Sequence, residues 1–196
     1  MMSPQPDTAD AVSGSSEYSR AERELLLKLA HEAIRSVLEE RDLPLQAPSP
    51  HLAEPRGAFT TIYHRGSLRG CVGYVAAVES LYQTVVETAR GAAFEDTRFP
   101  PVTREELPEL RVSLSILSPL KPIQPGQITA GQHGLLVSQA GRRGLLLPQV
   151  ASEHGWDRIT FLQQTCRKAG LPADAWQKGA KIEGFTAEVF GEDDLT

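Results

Sequence analysis

The sequence predicts an α+β fold, an antiparallel sheet flanked by helices, and three observations predict it. Val112, Leu114 and Ile116 alternate with Arg111, Ser113 and Ser115, the period of a strand with one buried face. Two pairs of short β-rich runs are joined by turn-forming residues, which gives hairpins. Helical spacing is confined to separate stretches, so the strand–helix–strand alternation of a parallel sheet is missing.

In chain order, residues 1–18 are rich in Ser, Pro, Asp and Ala and read as a disordered tail, because they bury too little apolar surface to offset the entropy of ordering. The remaining residues, 19–196, read as one domain. Ser19 and Glu22 have the spacing of a capping box, and Leu25, Leu26, Leu29, Ala33, Ile34, Val37 and Leu38 follow at helical spacing. Pro44, Pro48, Pro50 and Pro55 mark an irregular connection. A hairpin is expected from Phe59 to Val75, turning at His64-Arg65-Gly66-Ser67. Helical spacing resumes from about Glu79 to Phe94 and must end before Pro100-Pro101. After the strand Leu110–Leu117, a second hairpin spans residues 134–148 with a basic tip at Ala140-Gly141-Arg142-Arg143. Asp157 caps a helix with apolar positions Ile159, Phe161, Leu162, Cys166 and Ala169, and Gly170 ends it. A last strand runs from Lys181 to Phe190.

Composition excludes several function classes. The formal charge is −5, from 20 basic and 25 acidic residues, which does not support a nucleic-acid or anionic-membrane surface. No apolar run reaches the roughly 18 residues of a membrane span, and the first residues lack the basic start and apolar middle of a secretory signal. Two cysteines are too few for a disulfide framework, and a cytoplasmic location is expected. With no H-x-x-x-H or C-x-x-C spacing, no metal site is assigned, and the question of a cofactor stays open.

The unusual segment is Leu68-Arg69-Gly70-Cys71-Val72-Gly73. Glycine weakens a strand unless something must approach its backbone. Two readings stay open. In one, Gly70 and Gly73 admit a ligand to the backbone beside Cys71, Arg69 holds an anion, and the nearby cation favours the thiolate. In the other, the glycines permit a bulge and Cys71 is a small core residue.

Leu-Arg-Gly-Cys-Val-Gly resembles the hallmark Leu-Arg-Gly-Cys-Ile-Gly of the AMMECR domain family. The resemblance continues through Gly57–Thr61, Ala92-Ala93-Phe94, Asp96–Pro101, Val112-Ser113, Leu117-Ser118-Pro119, Leu147–Ala151, Gly155-Trp156 and Thr165–Leu171. Together these blocks resemble the group called AmmeMemoRadiSam system protein A. Val72 replaces the usual isoleucine, and Thr97 stands where proline is common. The resemblance implies two unequal subdomains, with the Arg-Gly-Cys segment facing a cleft between them. It also implies association with a Memo-type protein, similar to class III extradiol dioxygenases, and with a radical SAM enzyme. It brings no established reaction.

Candidate site residues follow. Cys71 is the candidate nucleophile or ligand and Arg69 its electrostatic partner. Gly70, Gly73, Asp96, Arg98, Glu153 and His154 are candidates for substrate binding. Asp96 and Arg98 have the spacing to pair with each other, with Arg69, or with a substrate. His64 lies across the hairpin turn, and pairing about Gly66 brings Cys71 to Thr61 instead. His133 reads as a loop residue and Cys166 as core. These residues fit first an enzyme or enzyme component built around Cys71; the alternative is a non-catalytic adaptor whose cleft grips a ligand or partner.

Overall fold

The computed structural model describes residues 16–195. Most of the expected tail therefore lies outside the described residues. Its last part does not behave as a tail: Tyr18 is buried and stacks on His51 with ring centroids 4.8 Å apart. Ser16 Oγ and the Glu17 amide both donate to the Glu188 carboxylate, tying the segment to the C-terminal end of the fold.

The architecture is α+β, as the periodicity predicts, with two four-stranded antiparallel sheets rather than one. Helix α1 (Arg20–Leu38) starts at the capping box of Ser19 and Glu22. It buries Leu26, Leu29, Ala30, Ala33 and Ile34, while Leu25 and Val37 face outward. Strands β1 (Ala58–His64) and β2 (Ser67–Tyr74) form the first hairpin, with Arg65 and Gly66 at φ 51° and 78°. Helix α2 (Leu81–Phe94) follows, N-capped by Ser80, then strand β3 (Leu110–Leu117).

A smaller unit is inserted next. It comprises β4 (Lys121–Pro122), β5 (Gly134–Gln139), β6 (Arg142–Leu146), α3 (Pro148–Glu153), α4 (Arg158–Lys168) and β7 (Lys181–Phe185). Strand β8 (Ala187–Gly191) then returns to pair with β3. The sheet orders are β2-β1-β3-β8 and β4-β7-β5-β6. The larger core lies between the first sheet and helices α1 and α2; the smaller one gathers Leu135, Val137, Phe161, Leu162 and Cys166. The described residues hold no helix long and apolar enough to cross a membrane.

Further expectations change. The strand expected over 181–190 is two strands, β7 and β8, which belong to different sheets and break at Thr186. The second hairpin turns at Ala140 and Gly141, both at positive φ, so Arg142 and Arg143 lie inside β6 rather than at a basic tip. Ile159 sits on the exposed side of α4, although Asp157 does cap that helix and Gly170 takes positive φ at its end. The short elements α3 and β4 stand where no element was expected.

The junction of the two units is a continuous ribbon. Leu117 pairs with Ala187 at the end of the first sheet, and Lys121 with Gly184 at the start of the second. Between them the Ser118 amide donates to the Thr186 carbonyl, and the Thr186 amide donates to Ser118 Oγ, both at 2.9 Å. Two residues of the outgoing strand, Pro119 and Leu120, lie opposite the single Phe185, which is the count of a bulge.

One close approach positions everything around Cys71. A Cβ built on Gly70 would lie 2.0 Å from the Ala92 carbonyl oxygen, so α2 rests directly on the β2 backbone. Gly91 repeats the contact from the helix side, since its Cβ would lie 2.9 Å from Val72 Cγ1. Gly70→Ala should therefore destabilise the protein by about 1–3 kcal/mol, because the obstructing atom is backbone. Gly126→Ala, whose Cβ meets nothing within 4 Å, should stay within about 0.5 kcal/mol. Urea denaturation of both variants checks the difference, and equal losses would remove the steric explanation.

Candidate functional site

Because Gly70 and Val72 face α2, Cys71 and Gly73 face the other side of the first sheet. Cys71 stands opposite Thr61, which stands opposite Ser113, so the three make one cross-strand row. The next row is Gly73, Phe59, Ser115 and Val189. Val189 is 57% exposed and the neighbouring serines are half-buried, so this outer face is only partly covered. A cavity of about 520 Å³ opens beside it, lined by Gln149 and Ser152 of α3 and by Ala187 and Val189 of β8.

Thr61 Oγ1 donates to Cys71 Sγ at 3.3 Å. The Cys71 amide points away from β1 and donates to Asp96 Oδ2 at 2.9 Å. Thr61 and Cys71 are thus a non-hydrogen-bonded pair, the kind whose side chains come closest. Asp96 also accepts two hydrogen bonds from the Arg98 guanidinium, at 2.9 and 2.7 Å. Its side chain is only 6% exposed, whereas that of Arg98 is 57% exposed. The Arg98 bonds first, and the Cys71 amide second, hold the Asp96 carboxyl well below the usual carboxylate range. The expected Asp96–Arg98 pairing is therefore present.

Arg69 is placed differently from its expected role as an anion holder. The β1–β2 register slips between Ile62 and Tyr63, leaving Arg69 as the extra residue of a bulge. Its guanidinium donates twice to Glu106, at 2.7 and 3.1 Å, and once each to the Pro100 and Pro101 carbonyls. The side chain is 11% exposed, and its donors clamp the 94–106 loop to the edge of β2. Glu106 is held below the usual carboxylate range chiefly by Arg69. His64, 3.8 Å from Glu106 through Nδ1, lies on this clamp and not beside the thiol.

The glycines are likewise used internally. Gly70 admits the Ala92 carbonyl, and a Cβ on Gly73 would lie 2.2 Å from the Phe59 ring, so the protein's own atoms occupy the space expected for a ligand. Glu153 and His154 close the C-terminal end of α3, where His154 stacks on Trp156 at 4.5 Å, and neither lines the cavity beside Val189. Cys166 is buried in the smaller core, where burial pushes its thiol up, and both cysteines are free. Among the described residues no group of three or more His, Cys, Asp and Glu converges. Functional reading of the sequence missed Ser113 and Ser115 as parts of the Cys71–Thr61 face. Their signal was the polar half of the β3 alternation.

A family model described as AMMECR1 matches residues 27–190. The chain belongs to the AMMECR1 family. Relatives in the family include a Methanothermobacter thermautotrophicus protein 42% identical over 185 residues, covering 89% of this chain and 96% of that one. A Methanosarcina barkeri protein is 42% identical over 177 residues, covering 85% and 88%. The crystal structure of an uncharacterised Pyrococcus horikoshii protein superposes with a TM-score of 0.73 at 38% identity, covering 87% of this chain and 91% of that one. The likeness at that identity extends to the AMMECR1 fold as a whole, both units included.

The Asp96 geometry sets a pH dependence. Its folded value lies below the unfolded one, so its contribution is complete above the unfolded value of about 4 and is lost as pH falls toward the folded one. Asp96→Asn should therefore melt below the wild type at neutral pH, with the gap closing as pH drops below about 4. Thermal melts of both proteins from neutral to acid pH read that gap. A gap independent of pH would show that the charge of Asp96 is not what holds the loop.

Proposed function

We propose that this AMMECR1-family chain is a non-catalytic binding component whose outer sheet face around Cys71 receives a partner or ligand. The observation that carries the reading is how the polar groups of the Arg-Gly-Cys segment are engaged. Arg69 and Glu106 bind each other, Asp96 binds the Cys71 amide and Arg98, and the hydrogen-bond partner of the Cys71 sulfur is a threonine hydroxyl. A cysteine nucleophile needs a base within hydrogen-bond reach, and among the described residues no imidazole or carboxylate bonds to this sulfur. A half-covered face with small polar side chains suits recognition. On this reading the chemistry belongs to the partners implied by the resemblance, a Memo-type protein and a radical SAM enzyme.

A second reading, in which the thiol itself reacts, draws on one observation: the Arg98 guanidinium is bound to Asp96, the same carboxylate that accepts the Cys71 amide. Two variants separate the readings. Ser113→Arg, which blocks the row without touching the loop clamp, should weaken partner binding by about tenfold or more. Cys71→Ala should change both binding and turnover of the assembled system by less than about threefold. Calorimetric titration with each purified partner, followed by turnover of the mixture, measures both. Loss of turnover in Cys71→Ala with binding intact would overturn the binding reading in favour of a reacting thiol.

A further inference from the structure

A second cavity, of about 460 Å³, lies at the ribbon that joins the two units, away from Cys71. Lys121, His133, Gln127, Ser118 and Thr186 provide its polar side chains, and no aspartate or glutamate lines it. Its hydrogen-bonding character follows from what each acceptor already does. His133 Nδ1 accepts the Thr129 amide at 2.9 Å, which puts the ring proton on Nε2 in the neutral imidazole. Gln127 Oε1 accepts the Gln124 amide at 2.9 Å, leaving the amide NH₂ as two donors. Ser118 Oγ accepts the Thr186 amide at 2.9 Å, leaving its hydroxyl proton to donate. Lys121 is exposed and pairs with no carboxylate among the described residues. The neighbouring acid, Glu183, points to the opposite face of β7 from Gly184 and is bound to Lys181 at 2.7 Å.

We propose that this seam cavity is a binding site for an oxyanion, a phosphate or carboxylate group carried on a small molecule. Backbone amides bind His133 Nδ1, Gln127 Oε1 and Ser118 Oγ, so an imidazole N–H, an amide NH₂, a hydroxyl and an ammonium line the cavity together, a donor set that suits an acceptor-rich anion. The volume is that of a small-molecule site. In a chain of net charge −5 such a grouping of donors is local and not a property of the whole surface. The cavity walls come from both strands of the ribbon and from the smaller unit, through Ile123, Gln127 and His133. The site stands independently of the reading of the Cys71 face.

NMR titration of the full chain with inorganic phosphate, and in parallel with acetate, tests this. The expected result is saturable shifts at the His133 Nε2–H and the Lys121 ammonium with at least one of the two anions. Lys121→Gln should weaken that binding by about tenfold, the equivalent of one charge-assisted contact. Lys28→Gln, the same charge change on α1, should leave it unchanged. The tighter of the two anions identifies the group. Absence of saturable shifts with both anions, or equal weakening by the two lysine variants, would overturn the proposal.

Discussion

The position of the Arg-Gly-Cys segment depends on a missing Cβ. With no side chain at Gly70, the Ala92 carbonyl reaches the β2 backbone and α2 lies close to the edge of the sheet. That closeness brings the chain leaving α2 alongside β2, where Asp96 meets the Cys71 amide and the Pro100 and Pro101 carbonyls meet Arg69. An edge strand carries unpaired backbone groups that invite association. Here Asp96 and the Arg69–Glu106 pair cover the edge from Arg69 to Cys71. The segment's sequence is thus explained largely by support: two glycines admit neighbours, an arginine clamps a loop, and an amide is capped by a carboxylate. Cys71 is the member of the segment whose side chain is turned to the open face.

A second constraint governs the relation of the two units. The smaller one is inserted between β3 and β8, which are neighbours in the first sheet. The chain must leave and return at the same place, and it does so as a hydrogen-bonded ribbon from Leu117–Ala187 to Pro122–Glu183. Carrying strand pairing across the junction satisfies backbone groups that a pair of free linkers would have to leave to solvent. The extra residue at 119–120 allows the ribbon to bend between sheets. Clefts form on the sides of that bend, and both cavities described above are there.

Local signals made most of the fold legible. The Ser19–Glu22 box, the Asp157 cap, the β3 alternation and the Gly170 terminator act within one turn or one strand, and each stands where its pattern placed it. Non-local choices were not legible. Lys181–Phe190 reads as one strand because Thr186 is a good β residue, and only its pairing with Ser118 reveals the switch of sheets. Helix α3 is six residues long, too short for a period to show, and its Pro148 reads equally as a strand end or a first helical turn. At the site, the pairing of Thr61 with Cys71 and of Asp96 with Arg98 follows from turn position and spacing. The partners of Arg69, Gly70 and Gly73 do not, because Glu106, Ala92 and Phe59 reach them through tertiary packing.

Hydrogen-bond satisfaction separates support from recognition in this molecule. A buried charge whose partners are all supplied by its own chain has little capacity left for a ligand, and removing it leaves another group unpaired. Arg69, Glu106 and Asp96 are of that kind, although their residue types and their place beside a cysteine suggest catalysis. Where the chain satisfies one end of a side chain and leaves the other facing a cavity, it fixes the tautomer or rotamer and presents a prepared donor. His133, Gln127 and Ser118 are of that kind, although each stands in a loop or strand end without a motif. Residue type alone does not separate these two kinds of position. The arrangement of already satisfied atoms does, because the clamp beside Cys71 is filled from within the chain while the groups at the seam cavity keep donors unused by it.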